Sequence, residues 1–562
     1  MKHIWKAFAA VLIFTFLCSM ALAETPGSLP DRQEEARKIL VMETSDIHGY
    51  IMDASSGREE TFQYRLAAIA HLVREARASG QYDDVVLLDA GDLFQGTPVS
   101  GLTGGAAIRA AMDMMDYDAI ALGNHEFDWD VTQYAADQEG TIAPYELGDY
   151  FGDAKTPILA SNLLDAATGG RVPFTRDYTI LEKAGKKIAV IGYVSDYEKS
   201  IKHEKIAPYR IDPDTDRLSA LIRRVRETEK PDAVIVLAHA DAETLAEQLD
   251  PSLVDLVAGG HSHLIRTRYA SNGIPYLQAH CYGNGIVSAV MTVAPDGEVT
   301  VSDMNYLRVT EDPAYLYDTP ENAAHLAPDI MELSHATWEA VQEEMNEVLG
   351  YTDTPIEKAR TLGGCSAGNW LTGLMLRATA DEGAIMAFYN VGGIRTSLLM
   401  PEGQARRDIT VYDIYTISPF GNSLLLYDIN GPELAELLRQ GLNVPNFGDQ
   451  MTGLSFTYTA TGDADTPRNE REFTIQSITL DDGTEVDMQD TERLYRVCTT
   501  DFNATYPDSV FEDKEPLVPV ADAPMDNDAF IALLRRERDA GDGYIPVDTR
   551  MRGTDVTETP GH

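Results

Sequence analysis

Five short apolar runs in this chain end in the same way. Each is of strand length, and each is followed at once by Asp, Asn or His. Ile39–Thr44 leads into Ser45-Asp46-Ile47-His48-Gly49, and Val85–Leu88 into Asp89-Ala90-Gly91-Asp92. Ala119–Leu122 leads into Gly123-Asn124-His125-Glu126-Phe127-Asp128. Asp232–Ala238 runs into His239, and Leu253–Ala258 into Gly259-Gly260-His261-Ser262-His263. Apolar runs of this length read as buried strands. Open α/β sheets present their ligands at the carboxyl ends of such strands. The repeated pattern therefore demands an α/β fold in which distant loops converge.

The donor chemistry narrows what converges there. Asp46 and His48 alternate with Ile47, so extended backbone would point both to one side. Gly91 allows close backbone approach beside Asp92, a carboxylate suited to sharing between two ions, with Asp89 behind it. Asn124 offers a neutral oxygen, and His239 an imidazole. The glycines before His261 and His263 permit a tight turn into a His-x-His ligand pair. Seven nitrogen and oxygen donors without a thiolate suit two borderline divalent ions, Zn, Mn or similar, rather than a closed structural zinc site. Two such ions about 3.5–4 Å apart clamp an in-line displacement at phosphorus. A water held between them is acidified. His125 need not be a ligand and is free to hand over a proton. Asp128, three residues on, would hold its tautomer and favour its charged form. The plain alternative for each stretch taken singly is a polar loop or a helix cap.

With 562 residues the chain is too long for one hydrophobic core. Residues 1–23 read as a signal peptide, with Lys2 and Lys6, an apolar stretch over 7–17, and Ala21-Leu22-Ala23 as cleavage site. Residues 24–38 read as a leader. No later apolar run is long enough to span a bilayer. The expectation is an exported protein of the periplasm, the extracellular space or the cell envelope, with no membrane anchor. A formal charge of −45 argues against nucleic-acid polymers and anionic membranes as partners. It also means that a small phosphate ester would need cations to reverse the field locally. No obligate protein partner is implied. Cys281, Cys365 and Cys498 show no CxxC spacing and allow one bridge at most.

Residues 130–155 read as an insertion rich in Gly, Asp and Tyr. Residues 324–350 are rich in Glu, Ala and Met and read as a linker helix. Beyond it, Asn390-Val391-Gly392-Gly393-Ile394-Arg395 follows an apolar run. Its glycines permit close backbone approach, and Arg395 supplies a fixed fork of donors for phosphate or a base edge. Phe420, within Ser418-Pro419-Phe420-Gly421-Asn422, could stack on a base, as could an aromatic in Asp501-Phe502-Asn503-Ala504-Thr505-Tyr506-Pro507-Asp508. A glycine turn with a surface arginine, and core packing of the aromatics, are the plain alternatives.

The five strand-end stretches resemble the calcineurin-like binuclear metallophosphoesterases. More narrowly, they resemble the 5′-nucleotidase family, which includes bacterial UDP-sugar hydrolases and 2′,3′-cyclic phosphodiesterases. The resemblance implies a four-layer α/β/β/α metallophosphoesterase domain over 39–323. It also implies the linker helix over 324–350, a C-terminal α+β nucleotide-binding domain over 351–550, and a tail over 551–562. One metal would take Asp46, His48, Asp92 and His263; the other would take Asp92, Asn124, His239 and His261. His125 and Asp128 would form the catalytic dyad. Asn390, Gly393 and Arg395 would contact substrate, Phe420 and Phe502 would sandwich the base, and Asp508 would bond the ribose. At that last position the family carries Gly-Gly-Asp-Gly, where this chain has Tyr506-Pro507-Asp508-Ser509. The implied activity is a 5′-nucleotidase acting on small-molecule nucleotides. The alternatives are a 2′,3′-cyclic-nucleotide 2′-phosphodiesterase/3′-nucleotidase, a UDP-sugar hydrolase, or a non-catalytic binding protein on the same scaffold.

Overall fold

The computed structural model describes residues 35–54, 61–128, 156–197, 201, 203–311, 316–443, 449–462, 466, 470–506, 509–511 and 514–557. The signal-peptide segment 1–23, all of the 130–155 insertion, and Asp508 lie outside the described residues.

The first half of the chain supplies fourteen strands: β1 Arg37–Thr44, β2 Asp84–Asp89, β3 Ala119–Ala121, β4 Ile158–Leu159, β5 Leu163–Asp165, β6 Tyr178–Lys183 and β7 Lys186–Val194. These are followed by β8 Tyr209–Ile211, β9 Ala233–His239, β10 Leu256–Gly259, β11 Arg266–Tyr269, β12 Pro275–Gln278, β13 Gly285–Val293 and β14 Val299–Arg308. Two six-stranded sheets result, ordered β14-β13-β1-β2-β3-β4 and β11-β12-β10-β9-β7-β6. In the first, β1 to β4 run parallel, so the loops after β1, β2 and β3 leave from one end. In the second, β7, β9 and β10 are parallel and deliver His239 and the 259–263 turn likewise.

Side-chain alternation explains the layering. Ile39, Val41, Val86 and Leu88 pack inward against Val190, Ile235, Leu237 and Leu256, forming a dry core between the sheets. Leu40, Met42, Val85 and Leu87 face the other way, onto the helices Arg65–Ala78 and Ala106–Met114. Val234, Val236 and Val257 do the same for Thr215–Thr228 and Ala242–Gln248. Both faces of the central strands are buried, which is why they read as continuous apolar runs. The expected α/β/β/α layering is what forms.

The helix Pro328–Met345 joins the two halves and is no free-standing connector. Its Trp338 lies against Phe62 of the first domain (4.9 Å between centroids) and Tyr412 of the second (6.3 Å). Asp329 pairs with Arg74 through two hydrogen bonds. The second domain is mixed α+β. Its strands are β15 Val348–Thr352, β16 Met386–Tyr389, β17 Arg407–Thr410, β18 Leu424–Ile429, β19 Gln450–Thr452, β20 Leu454–Ala460, β21 Phe473–Leu480, β22 Tyr495–Thr500 and β23 Gly553–Asp555. They form sheets ordered β18-β22-β16-β19 and β21-β20-β23, and a β15-β17 pair. Three boundaries differ from those expected. The leader ends earlier, because Arg37 already pairs with Val293. The linker stops at Met345, since β15 pairs with β17. The tail is not a tail: β23 adds in parallel to β20, and the buried Arg552 pairs with Asp481 and Asp548. Polar composition hid that strand. Cys281, Cys365 and Cys498 are all free and buried.

Gly192 marks a close approach between the two sheets. A Cβ there would press on Leu159 and fall 2.7 Å from the Ala160 nitrogen, which is backbone and cannot yield. Gly192→Ala is therefore expected to lower stability by roughly 1–3 kcal/mol, read as a fall in Tm.

Candidate metal centre

The seven expected donors come together at the carboxyl ends of β1, β2, β3, β9 and β10. Asp46, His48 and His263 each offer an atom within 4.8 Å of the others, and so do Asp92, His239 and His261. Asp92 stands between the two groups: its Oδ2 is 3.2 Å from His239 Nε2 and 3.9 Å from His48 Nε2. Asn124 completes the second group, its Oδ1 lying 3.0 Å from both His239 Nε2 and His261 Nδ1.

Convergence this close forces unusual backbone. Asp46, His48, Asp92, His261 and His263 all have φ between 50° and 70°, the left-handed region that non-glycine residues rarely adopt. Each costs about 1–3 kcal/mol and persists only where the surroundings over-determine it. The surroundings here are backbone bonds. Asp46 N donates to Gly91 O at 2.9 Å and His48 N to Asp92 O at 2.9 Å, while His261 N donates to the Asp46 carboxylate at 3.0 Å. Gly123 has no alternative, because a Cβ there would strike the Asp92 carboxylate.

The protonation pattern tests whether cations fit. His48 Nδ1–H donates to Gln95 O and His239 Nδ1–H to Ala90 O, both at 2.7 Å, so the Nε2 lone pair of each points inward. His48 Nε2 then faces His263 Nε2 at 3.2 Å, and His239 Nε2 faces the Asn124 oxygen. Nitrogen and oxygen donors gathered this closely in a buried site are what a pair of divalent cations would satisfy. Burial drives His48 well below the ordinary histidine value. Burial, together with neighbouring His239, pushes His261 down to about 3. Burial opposes charge on Asp92, yet His239, His125 and His48 hold its carboxyl well below the usual range. His48 and His261 are thereby ready as neutral imidazoles and Asp92 as an ionised carboxylate, in contrast to His239. Burial opposes its charge, but Asp92 raises it to about 10, so a cation would displace that proton.

His125 lies beside this centre. Its Nδ1 is 2.8 Å from Asp128 Oδ2, and its backbone N–H donates to Asp92 Oδ1 at 2.8 Å. Burial alone would lower its pKa, but the charges of Asp128 and Asp92 raise it above the ordinary value. Two second-domain residues reach the same spot. Phe420 stacks on His125, with centroids 5.5 Å apart and planes at 30°, and Arg395 sits 5.3 Å over the Phe420 ring. Asn390 is buried with its Oδ1 unbonded, and Gly393 is packed against Tyr389 and Asn390 with no room for a Cβ. Phe502 is half-buried against Tyr506 at 6.3 Å; among the described residues no ring contact joins it to Phe420.

Residues 39–264 match the calcineurin-like phosphoesterase family, and residues 348–512 match the 5′-nucleotidase C-terminal domain. The chain belongs to the 5′-nucleotidase family of calcineurin-like metallophosphoesterases. Among relatives of this 5′-nucleotidase-family chain, the trifunctional nucleotide phosphoesterase protein YfkN of Bacillus subtilis is 27% identical over 500 residues. That match takes in 83% of this chain but only 31% of YfkN. A 5′-nucleotidase of Vibrio vulnificus is 26% identical, covering 76% of this chain and 81% of its own length. The crystal structure of a 5′-nucleotidase precursor from Thermus thermophilus shares the fold, with TM-score 0.70 and 21% identity, over 93% of this chain and all of that one. Membership makes the protein a phosphoric ester hydrolase that works with divalent metal.

Three residues without an expected role matter here. Glu126, inside the dyad stretch, is buried and accepts backbone N–H bonds from Gly123 (2.6 Å), Leu93 (2.7 Å) and Asp92 (3.0 Å). It ties the β2 and β3 loops together. Its carboxyl is pushed up to about 7 by burial and by Asp92. Tyr197 lies flat on His261, with centroids 3.6 Å apart, and Tyr282 packs against His48 and His263. The only sequence signal for Glu126 was its acidity within a buried stretch. Glu126→Gln exchanges one of its two acceptor oxygens for a donor. It is expected to weaken metal retention, measured as bound metal per chain after dialysis, and to cost roughly 1–3 kcal/mol of stability.

Proposed function

We propose that this phosphoric ester hydrolase is an exported 5′-nucleotidase that releases phosphate from nucleoside monophosphates. The observation that carries the reading is the meeting of two domains on one histidine. His125 is bonded to Asp128 at the rim of the donor cluster, and second-domain Phe420 and Arg395 are seated upon it. Export is supported by the apolar segment within residues 1–23 and by the acidity of the chain. Among the described residues no helix is long and apolar enough to cross a membrane.

Asp46, His48, Asp92 and His263 would hold one divalent ion, and Asp92, Asn124, His239 and His261 the other. With all donors nitrogen or oxygen, Zn or Mn suits both places. Bound there, such ions supply positive charge against the phosphoryl oxygens and lower the pKa of water. The chain's own groups do the rest. The Asp128 bond fixes His125 with its Nδ1 as donor, leaving Nε2 for the reacting side. The raised pKa keeps that imidazole able to carry a proton. As the ester oxygen–phosphorus bond breaks, the Nε2 proton passes to the leaving alkoxide or bonds the charge growing there. Arg395 neutralises phosphate charge in an otherwise acidic protein. Phe420, with Phe502, offers flat apolar surface for the base, and Asn390 an unbonded amide oxygen for a donor on the nucleoside. Holding base and phosphate on different domains lets binding energy from one align the other.

His125→Ala should cut kcat by about 10²–10⁴-fold while two equivalents of metal remain bound. Unchanged turnover in that variant would remove His125 from the chemistry. A panel of AMP, 3′-AMP, 2′,3′-cyclic AMP and UDP-glucose, assayed as release of phosphate from the first two, of 3′-AMP from the third and of UMP from the last, is expected to show AMP turned over fastest. Much faster hydrolysis of 2′,3′-cyclic AMP would favour the cyclic phosphodiesterase reading and leave the metal centre intact.

A further inference from the structure

Tyr282 belongs to the first domain but its hydroxyl is turned to the second. It lies just before β13, in left-handed backbone with φ 60°, a conformation that a bulky residue adopts only under constraint. The constraint is visible. Its N–H donates to Asp46 O at 2.7 Å, and its carbonyl accepts from Arg65 Nη1 at 3.0 Å. Arg65 is itself anchored by Asp53 at 2.6 Å. The ring is wedged among three others: Tyr50 at 5.0 Å, His263 at 5.3 Å and His48 at 5.5 Å. Every one of these contacts is within the first domain, and together they leave the ring one direction.

That direction ends on Arg395. Arg395 Nη2 donates to the Tyr282 hydroxyl at 3.4 Å. The same guanidinium lies over Phe420, which in turn lies on His125. An arginine side chain has many rotamers, and fixing one for an anion costs conformational entropy. Here one fixed point comes from a phenol that the metal-binding loops themselves hold in place. Loss of the hydroxyl would leave the ring packed against His48 and His263 but free the guanidinium.

We propose that Tyr282 is a positioning residue for substrate binding: its hydroxyl presents Arg395 to the phosphate and so couples the seating of the second domain to the metal centre. The inference rests on the reading of Arg395 as a phosphate contact.

Tyr282→Phe keeps the ring and deletes the bond. Steady-state kinetics with AMP, and bound metal per chain, are to be measured for Tyr282→Phe, Arg395→Ala and the double variant. Tyr282→Phe is expected to raise KM about tenfold, the scale of one hydrogen bond to a charged group, with kcat changed far less and metal content unchanged. Arg395→Ala should raise KM at least as much, and the double variant no further than Arg395→Ala alone. An unchanged KM in Tyr282→Phe beside a raised KM in Arg395→Ala would overturn the proposal. Additive effects in the double variant, or metal loss in Tyr282→Phe, would also overturn it, since the tyrosine would then act apart from the arginine. An unchanged KM in Arg395→Ala would instead refute the phosphate-contact reading, and the proposal with it.

Discussion

Imidazole nitrogens and carboxamide and carboxylate oxygens crowded into one buried site are the constraint on which this structure turns. His48 Nε2 faces His263 Nε2, and His239 Nε2 faces the Asn124 oxygen, each at close to 3 Å. Two of those imidazoles donate Nδ1–H to a backbone carbonyl behind them, which holds each ring with Nε2 turned to the centre. A buried arrangement of this kind is unfavourable by itself and favourable around divalent cations. Five ligand residues in left-handed backbone add to the cost. What offsets it is the dry core between two sheets, together with the Glu126 carboxylate and the backbone bonds between the β1 and β2 loops. The site is strained because the scaffold behind it is rigid enough to keep it so.

The second consequence is that His125, at the rim of this centre, is also the meeting point of the domains. His125 takes its orientation from Asp128 and its electrostatics from Asp92, both in the first domain, and its ring neighbour from the second. The helix Pro328–Met345, packed on both halves through Trp338, allows this meeting without a long flexible connection. In a chain so acidic, Arg395 beside the metal loops is a local reversal of charge, which anionic substrates require before they can approach.

The convergence of Asp46, Asp92, Asn124, His239 and His261 was legible because each follows a short, fully apolar run, and parallel strands send such ends to one edge. The same logic did not reveal Glu126, whose partners are backbone N–H groups of Asp92 and Leu93, more than thirty positions away. Nor did it reveal Tyr282, which looks like any aromatic before a glycine until its neighbours are known. Residues 551–557 read as a tail because a short polar edge strand has no hydrophobic period to betray it. The family resemblance paired Phe420 with Phe502 around the base, yet of the two it is Phe420 that lies against His125.

Local chemistry along the chain was enough to single out the residues that converge and an α/β fold with parallel strands, because strand periodicity and residue type are properties of neighbouring residues. Tertiary structure alone decided which carboxylate staples the loops and which second-domain side chains reach His125. Those outcomes depend on distances between residues far apart in sequence, and such distances exist only once both sheets have packed and the domains have closed on each other.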